Sequence, residues 1–206
     1  MLERVELYRG QESHRVCVAG VVRHLPLVQV DEGLWIASNG GIIFGDIEFI
    51  SAAARAIAER LKPLGPDIIV TPEAKAIAFA YEVAKLLAHK RLVVARKSIK
   101  AYMMDYLIEE VKSITTRERQ IMVLTKEDVK EVSGKRVCIL DDVVSTGGTI
   151  NALEKLVKRA GGRPICKAAI WVEGPWYRDD LIYLGELPVF VTEDKLRELE
   201  EALAHP

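Results

Sequence analysis

The sequence predicts an α/β protein: an open, mainly parallel twisted sheet with helices on both faces, plus a small strand-rich hood. Three observations predict it. From Asp67 to Val172, short apolar runs of buried-strand type alternate with stretches of helical period. Pro and Gly punctuate the joins between them. The stretch from Arg15 to Ser38, by contrast, reads as strands throughout. A chain of 206 residues holds one full-sized core with a small appendage. The expected organisation is a hood or cap over residues 1–45, a core over 46–175 that includes a mobile loop at about 97–124, and a C-terminal segment with a helix over 176–206.

Each element has its own reason. "RVCVAGVVRHLPLVQV" and "LWIAS" are strand-like, broken at Pro26 and at Asp31-Glu32-Gly33. At Asp46 the period changes: Ile47, Ile50, Ala54, Ile57 and Leu61 recur at helical spacing, with Asp46 placed as N-cap and Pro63, Gly65 and Pro66 as the stop. Asp67–Val70 is a buried-type strand that turns at Thr71-Pro72-Glu73 into a helix over Ala74–His89. Strands follow at Arg91–Arg96, Lys135–Leu140 and Pro164–Val172, with a helix from about Gly148 to Ala160 stopped by Gly161-Gly162. Lys97–Lys130 breaks the rhythm as a polar excursion with hairpin character, and a connection of that length in a compact domain is usually functional or mobile. The tail is a helix capped by Thr192, with Glu193 and Asp194 in its first turn.

Composition narrows the function. Half the residues are apolar and the formal net charge is −1, which gives no support to a broad nucleic-acid or anionic-membrane surface. The first 45 residues carry no basic recognition helix. No apolar run approaches the roughly 18 residues of a membrane span, and Met1-Leu2-Glu3-Arg4 does not open like a secretory signal. Cys17, Cys138 and Cys166 are odd in number and widely spaced, so neither a disulfide framework nor a zinc site is expected. The expectation is a cytoplasmic protein with reduced thiols, no protein-built metal site, no nucleic-acid partner and no membrane.

The most informative stretch is "VCILDDVVSTGGT", Val137 to Thr149. An apolar strand runs into two carboxylates, Asp141 and Asp142, and then into Ser145-Thr146-Gly147-Gly148-Thr149 before a helix. In an open parallel sheet, ligands bind outside the carboxyl ends of the strands. Gly147 and Gly148 let backbone N–H groups converge on one point, and the helix N-terminus adds partial positive charge, so this turn suits a phosphate. The carboxylates suit diol hydroxyls as hydrogen-bond acceptors, or a hard cation such as Mg²⁺. A ligand carrying a phosphate near a cis-diol is a ribose 5-phosphate. Rival phosphate signatures fail: Thr149 follows Gly148 where a Walker loop needs lysine, and no G-x-G-x-x-G occurs.

The stretch resembles the phosphoribosyl-pyrophosphate motif of the type I phosphoribosyltransferases. That resemblance extends over the order of parts from about Asp46 to Val172. It implies transfer of a 5-phosphoribosyl group from phosphoribosyl pyrophosphate to a purine base, with Mg²⁺ bound through the donor, in a homodimer. By match, Asp141 and Asp142 hold the ribose hydroxyls and Ser145 to Thr149 the 5-phosphate. "IIVTPEAKAIAFA" resembles the pyrophosphate loop of adenine phosphoribosyltransferases, with Thr71, Glu73, Ala74 and Lys75 lining it and Ala76 where the family has glycine. Arg96, Lys97 and Lys100 match the cations before the family's catalytic loop, where they would meet charge building on the leaving pyrophosphate. Lys100–Leu124 looks like the loop that closes over the site and excludes water.

The base is read from two places. Enzymes of the family that use hypoxanthine or guanine commonly carry an acid before the Thr-Gly of the phosphate loop, and here that position is Ser145. With Glu73-Ala74-Lys75, this favours adenine, giving AMP. A 6-oxopurine enzyme and a phosphoribosyl-pyrophosphate-sensing regulator stay open as alternatives. Trp171, Trp176 or Tyr177, after the last core strand, are the candidates to stack on a purine.

Overall fold

The computed structural model describes residues 2–38, 41, 45–101, 103–111 and 120–204. In chain order, the hood strands β1 (Val5–Leu7), β2 (Ser13–Val18), β3 (Val21–Asp31) and β4 (Leu34–Ala37) precede helix α1 (Ile47–Leu61). Next come β5 (Ile68–Pro72), α2 (Ile77–Leu86), β6 (Val93–Ala95) and the pair β7 (Tyr106–Val111) and β8 (Gln120–Thr125). The chain continues through α3 (Lys126–Val132), β9 (Arg136–Val144), α4 (Gly148–Arg159) and β10 (Arg163–Glu173). It closes with β11 (Ile182–Leu187), β12 (Val189–Val191) and α5 (Glu193–Ala204).

The central sheet has the order β11-β10-β9-β5-β6, and all four of its pairings are parallel. Such strands must be apolar on both faces. On β9, Cys138 and Leu140 pack with α1 and α2, whereas Val137 and Ile139 pack with Leu153, Leu156 and Val157 of α4. Helices therefore cover both faces, as the alternation predicts. The hood is a second five-stranded sheet, β1-β12-β4-β3-β2. Its buried Val16, Val18, Leu25 and Phe190 share one cluster with α1 and the first face of the central sheet.

The two sheets do not divide where the sequence suggests. β11 and β12 both lie beyond residue 175, yet β11 extends the central sheet beside β10 while β12 joins the hood between β1 and β4. One short turn after Leu187 thus carries the chain between layers, a non-local pairing invisible to local pattern. The excursion after β6 is half core: Met122, Val123 and Leu124 of β8 are fully buried. Two backbone bonds hold it to the main body, Arg96 N–H to the Val123 carbonyl at 2.9 Å and Val123 N–H to the Arg96 carbonyl at 2.8 Å. Of the expected mobile loop at about 97–124, Tyr102 and residues 112–119 lie outside the described residues.

The caps fall where side chains require them. Asp46 accepts from the Phe49 N–H at 2.9 Å, and the Thr192 hydroxyl accepts from the Lys195 N–H at 3.3 Å. Phe49, Ile50, Ile57 and Leu61 of α1 are buried, each contributing about 1.5–3 kcal/mol. Ile47 differs from expectation: it is 81% exposed, because the first helical residue points away before the apolar stripe is established. α2 begins at Ile77 rather than Ala74, since Glu73 to Ala76 are taken up by a loop containing a cis Glu73–Ala74 peptide.

Candidate active site

The strand order places a crevice before any side chain is considered. After β5 the chain goes outward to β6, then returns to the other side of β5 for β9, β10 and β11. The β5/β9 boundary is the topological switch point, where doubly wound sheets bind ligands. β5 pairs with β9 only as far as Val70 and Ile139, while β9 stays paired with β10 through Val144. Hence Asp141 and Asp142 lie within β9 rather than beyond its end, on the stretch where the β5 side has opened.

Among the described residues, four polar or charged side chains are buried: Thr71, Asp141, Asp142 and Glu173. They sit at the carboxyl-terminal parts of β5, β9 and β10, three adjacent strands. A cavity of about 270 Å³ lies above them, near the lower end of small-molecule sites. Glu73, Lys75, Lys97, Asp141, Asp142, Ser145 and Thr149 line its polar side. A second cavity of about 140 Å³ adjoins it through Asp141, Ser145 and Thr149, and is lined by every residue from Ser145 to Thr149. The phosphate turn and the paired carboxylates therefore share one space.

Local geometry explains the turn. Gly147 has φ +80° and precedes α4 as its N-cap, leaving the helix's first N–H groups directed at the smaller cavity. A β-carbon on Gly147 would lie 2.4 Å from a carbon of the Tyr177 ring, so packing as well as backbone conformation demands glycine here. The loop after β5 is held from the neighbouring strand: Glu73 donates its N–H to the Ala95 carbonyl at 2.9 Å. Its carboxylate accepts from the Lys97 N–H at 2.6 Å, fixing Lys97 against the loop. Ala76 has an ordinary φ of −78° and is buried, so a side chain at this position meets no backbone demand for glycine.

The electrostatics are those of an anion pocket with buried acids in its floor. Burial raises the Asp141 carboxyl well above the usual range, Asp142 adds like-charge repulsion, and the Asp142 N–H at 2.9 Å and Lys97 oppose them. Burial also raises Glu173, aided by Asp142 and opposed by the Ser145 hydroxyl and Lys75. An apolar lid completes the cavity: Leu25 of β3, Ile36 and Ala37 of β4, Trp171 of β10 and Leu187 of β11.

Most of the sequence-selected residues converge. Asp141, Asp142, Glu73, Lys75, Lys97 and Ser145 to Thr149 line one cavity or the other. Thr71 is wholly buried beneath, its hydroxyl without a partner. Arg96 and Lys100 are not among the lining residues. Arg96 is bridged to β8, and the Lys100 N–H contacts the Met103 sulfur at 3.4 Å. Of the three aromatic candidates only Trp171 lines the cavity, with its ring stacked on Phe49 at 5.3 Å. Trp176 packs beneath the hood cluster of Val5, Leu34, Val189 and Val191, and Tyr177 fills the space over Gly147. Sequence reasoning passed over Glu173, whose signal was a single acid ending an otherwise apolar strand, "AAIWVE".

The fold and crevice define a doubly wound α/β protein with a glycine turn and paired carboxylates at its switch point. The family model of the phosphoribosyl transferase domain matches residues 46–182, and the chain belongs to the phosphoribosyltransferase family. It is similar to the adenine phosphoribosyltransferase of Petrotoga mobilis, 31% identical over 173 residues, covering 79% of this chain and 86% of that protein. The adenine phosphoribosyltransferase of Pseudothermotoga lettingae is 32% identical over 152 residues, covering 70% and 81%. The crystal structure of adenine phosphoribosyltransferase from Thermoanaerobacter pseudethanolicus shares the fold, with a TM-score of 0.62 at 22% identity over 85% of this chain and 95% of that one.

Proposed function

We propose that the chain transfers the 5-phosphoribosyl group of phosphoribosyl pyrophosphate to adenine, giving AMP and pyrophosphate in purine salvage. The observation that carries this reading is the shared cavity: paired buried carboxylates beside a glycine phosphate turn, closed above by an apolar lid. Relatives named adenine phosphoribosyltransferases support the choice of base.

In this reading the residues divide the donor between them. Asp141 and Asp142 accept hydrogen bonds from the ribose hydroxyls. Ser145 to Thr149 hold the 5-phosphate with hydroxyls, backbone N–H groups and the α4 N-terminus. Thr71, Glu73, Ala74 and Lys75 frame the pyrophosphate, and Lys97 meets the charge that grows as the anomeric bond breaks. Arg96 and Lys100, set back from the cavity, act from the base of the loop when it closes over the donor. Positioning and electrostatics on the leaving group carry most of the acceleration of a displacement with oxocarbenium character. Mg²⁺ would enter on the donor's pyrophosphate oxygens. When bound, it neutralises charge on the departing oxygens. The assembly proposed is a cytoplasmic homodimer, to be tested by light scattering.

The test is a nucleotide-formation assay with phosphoribosyl pyrophosphate and Mg²⁺, offering adenine, hypoxanthine, guanine, xanthine, uracil and orotate separately. Conversion of adenine alone is expected. Conversion of an oxopurine instead would keep the family and change the base. Donor binding without turnover of any base would make the protein a sensor.

A further inference from the structure

Of the four buried polar side chains, Thr71, Asp141 and Asp142 are given to the donor in that reading, and Glu173 has no part in it. It ends β10 on the same face as Trp171, two residues before it, and both line the larger cavity. The register that sets Val172 beside Val144 carries Glu173 level with Ser145, whose hydroxyl is within hydrogen-bonding reach of it. Around it the walls are apolar: Leu25, Ile36 and Leu187. A carboxylate kept in such a place is costly unless donors meet it, and the Ser145 hydroxyl and the charge of Lys75 do so in part. The remaining donors would come from whatever fills the cavity.

Its position says which edge of a base it meets. Glu173 is close enough to Asp142 to feel its charge and adjoins Ser145, which opens the phosphate turn. It therefore stands beside the ribose end of the base, facing the five-membered ring and the substituent next to it. A 6-aminopurine presents there the ring nitrogen N7 as acceptor and the amino group as donor, whereas a 6-oxopurine presents two acceptors. An ionised carboxylate only accepts. It pairs with the amino group and repels the oxo group.

We propose that Glu173 is the residue that selects the base: its carboxylate accepts a hydrogen bond from the exocyclic amino group of a 6-aminopurine and disfavours 6-oxopurines. The proposal rests on the adenine reading above.

The experiment is a cycle between the Glu173 carboxylate and the base's amino group. kcat/KM is measured for adenine, for unsubstituted purine and for hypoxanthine, with saturating phosphoribosyl pyrophosphate and Mg²⁺, in the native enzyme, Glu173→Gln and Glu173→Asp. In the native enzyme, adenine should exceed purine by about tenfold to a hundredfold, with hypoxanthine lower still, as expected for a charge-assisted hydrogen bond. In Glu173→Gln, whose amide can donate to an oxo group, the preference for adenine over hypoxanthine should fall at least about tenfold. KM for the donor should move less than about threefold, a separation that a merely structural role would not give. Glu173→Asp keeps the charge and should keep the order of preference at lower kcat/KM. An unchanged preference in soluble Glu173→Gln overturns the proposal. If that variant does not fold, equal use of adenine and purine by the native enzyme overturns it instead. A native enzyme that turns over other bases but not adenine refutes the adenine reading itself, and the base-selection proposal with it.

Discussion

The two five-stranded sheets line the same cavity with opposite chemistry. The parallel sheet brings the buried acids Asp141, Asp142 and Glu173. The hood brings Leu25, Ile36 and Ala37, with Ser38 at its margin. The reason lies in the strands. Parallel strands diverge at a switch point, and the backbone that stops pairing there can present side chains and N–H groups to a ligand. The cavity-lining hood strands β3 and β4 pair antiparallel, and such strands keep one face on the core and one in solvent, so the face they turn to the cavity is an extension of the core. In the proposed function, one sheet binds the donor and the other keeps water out.

The largest effect should come from the parallel side. Asp141→Ala together with Asp142→Ala removes two charge-assisted acceptors, and donor affinity should fall roughly 10²–10⁴-fold. Isothermal titration with phosphoribosyl pyrophosphate checks it, and unchanged affinity would refute the roles given to these residues. The fold should survive, because neither carboxylate anchors a strand: their β9 neighbours Val143 and Val144 keep their pairing to Trp171 and Val172.

Gly147→Ala comes next and strikes both chemistry and packing. Alanine at φ +80° costs about 1–2 kcal/mol, and the overlap of its β-carbon with the Tyr177 ring at 2.4 and 2.6 Å adds about 1–3 kcal/mol. The melting temperature should drop by roughly 4–20 °C. Gly134→Ala is the control, since φ there is +74° but nothing lies within 4 Å of the added carbon. Equal losses in the two variants would show that Tyr177 has no share in shaping the turn.

These same residues show what the sequence could tell. The phosphate turn, the double Asp and the strand-helix alternation were legible because each is a local pattern whose physics is complete within a dozen residues. Glu173, β12 and the lid residues were not, for they become meaningful only through pairing between distant segments. Leu25 and Leu187 are ordinary apolar residues until β3 and β11 bring them to one wall. Trp176 and Tyr177 looked like base-stacking aromatics by position, but the turn at Gly174, with φ +64°, sends Trp176 back over its own glycine and into the hood cluster.

The binding side should also be the destabilised side. Burial, then repulsion from Asp142, lifts the Asp141 carboxyl well above its ordinary value. An acid whose folded-state pKa is raised weakens the fold when ionised: stability is greatest below the unfolded value and declines as pH rises through the raised one. Asp141→Asn should therefore melt a few degrees higher than the native protein at neutral pH in the absence of donor. The gap should close as pH falls toward the ordinary aspartate value, where the native carboxyl is protonated as well. A variant less stable than the native protein at neutral pH would mean that the charge is compensated by partners beyond Lys97 and the Asp142 N–H.

The smallest effect should come from the joint between the sheets. Arg23 of β3 reaches α1, with Nε 2.6 Å from Asp46 Oδ2 and Nη2 2.7 Å from Glu48 Oε2. The Arg23 hydrogen bond holds the Asp46 carboxyl below the usual range, so its contribution is present above the ordinary aspartate value and lost as pH falls through the depressed one. Arg23→Ala leaves Asp46 its capping bond to Phe49, and exposed ion pairs contribute little, so the melting temperature should fall less than in Gly147→Ala and less again at high salt. Function should register the change on one side only. Leu25, two residues along β3, lines the lid, so KM for the base should rise while KM for the donor, held by the parallel sheet, stays put. A matching rise in both would mean that the sheets do not divide the ligands between them, and that the hood positions the donor as well.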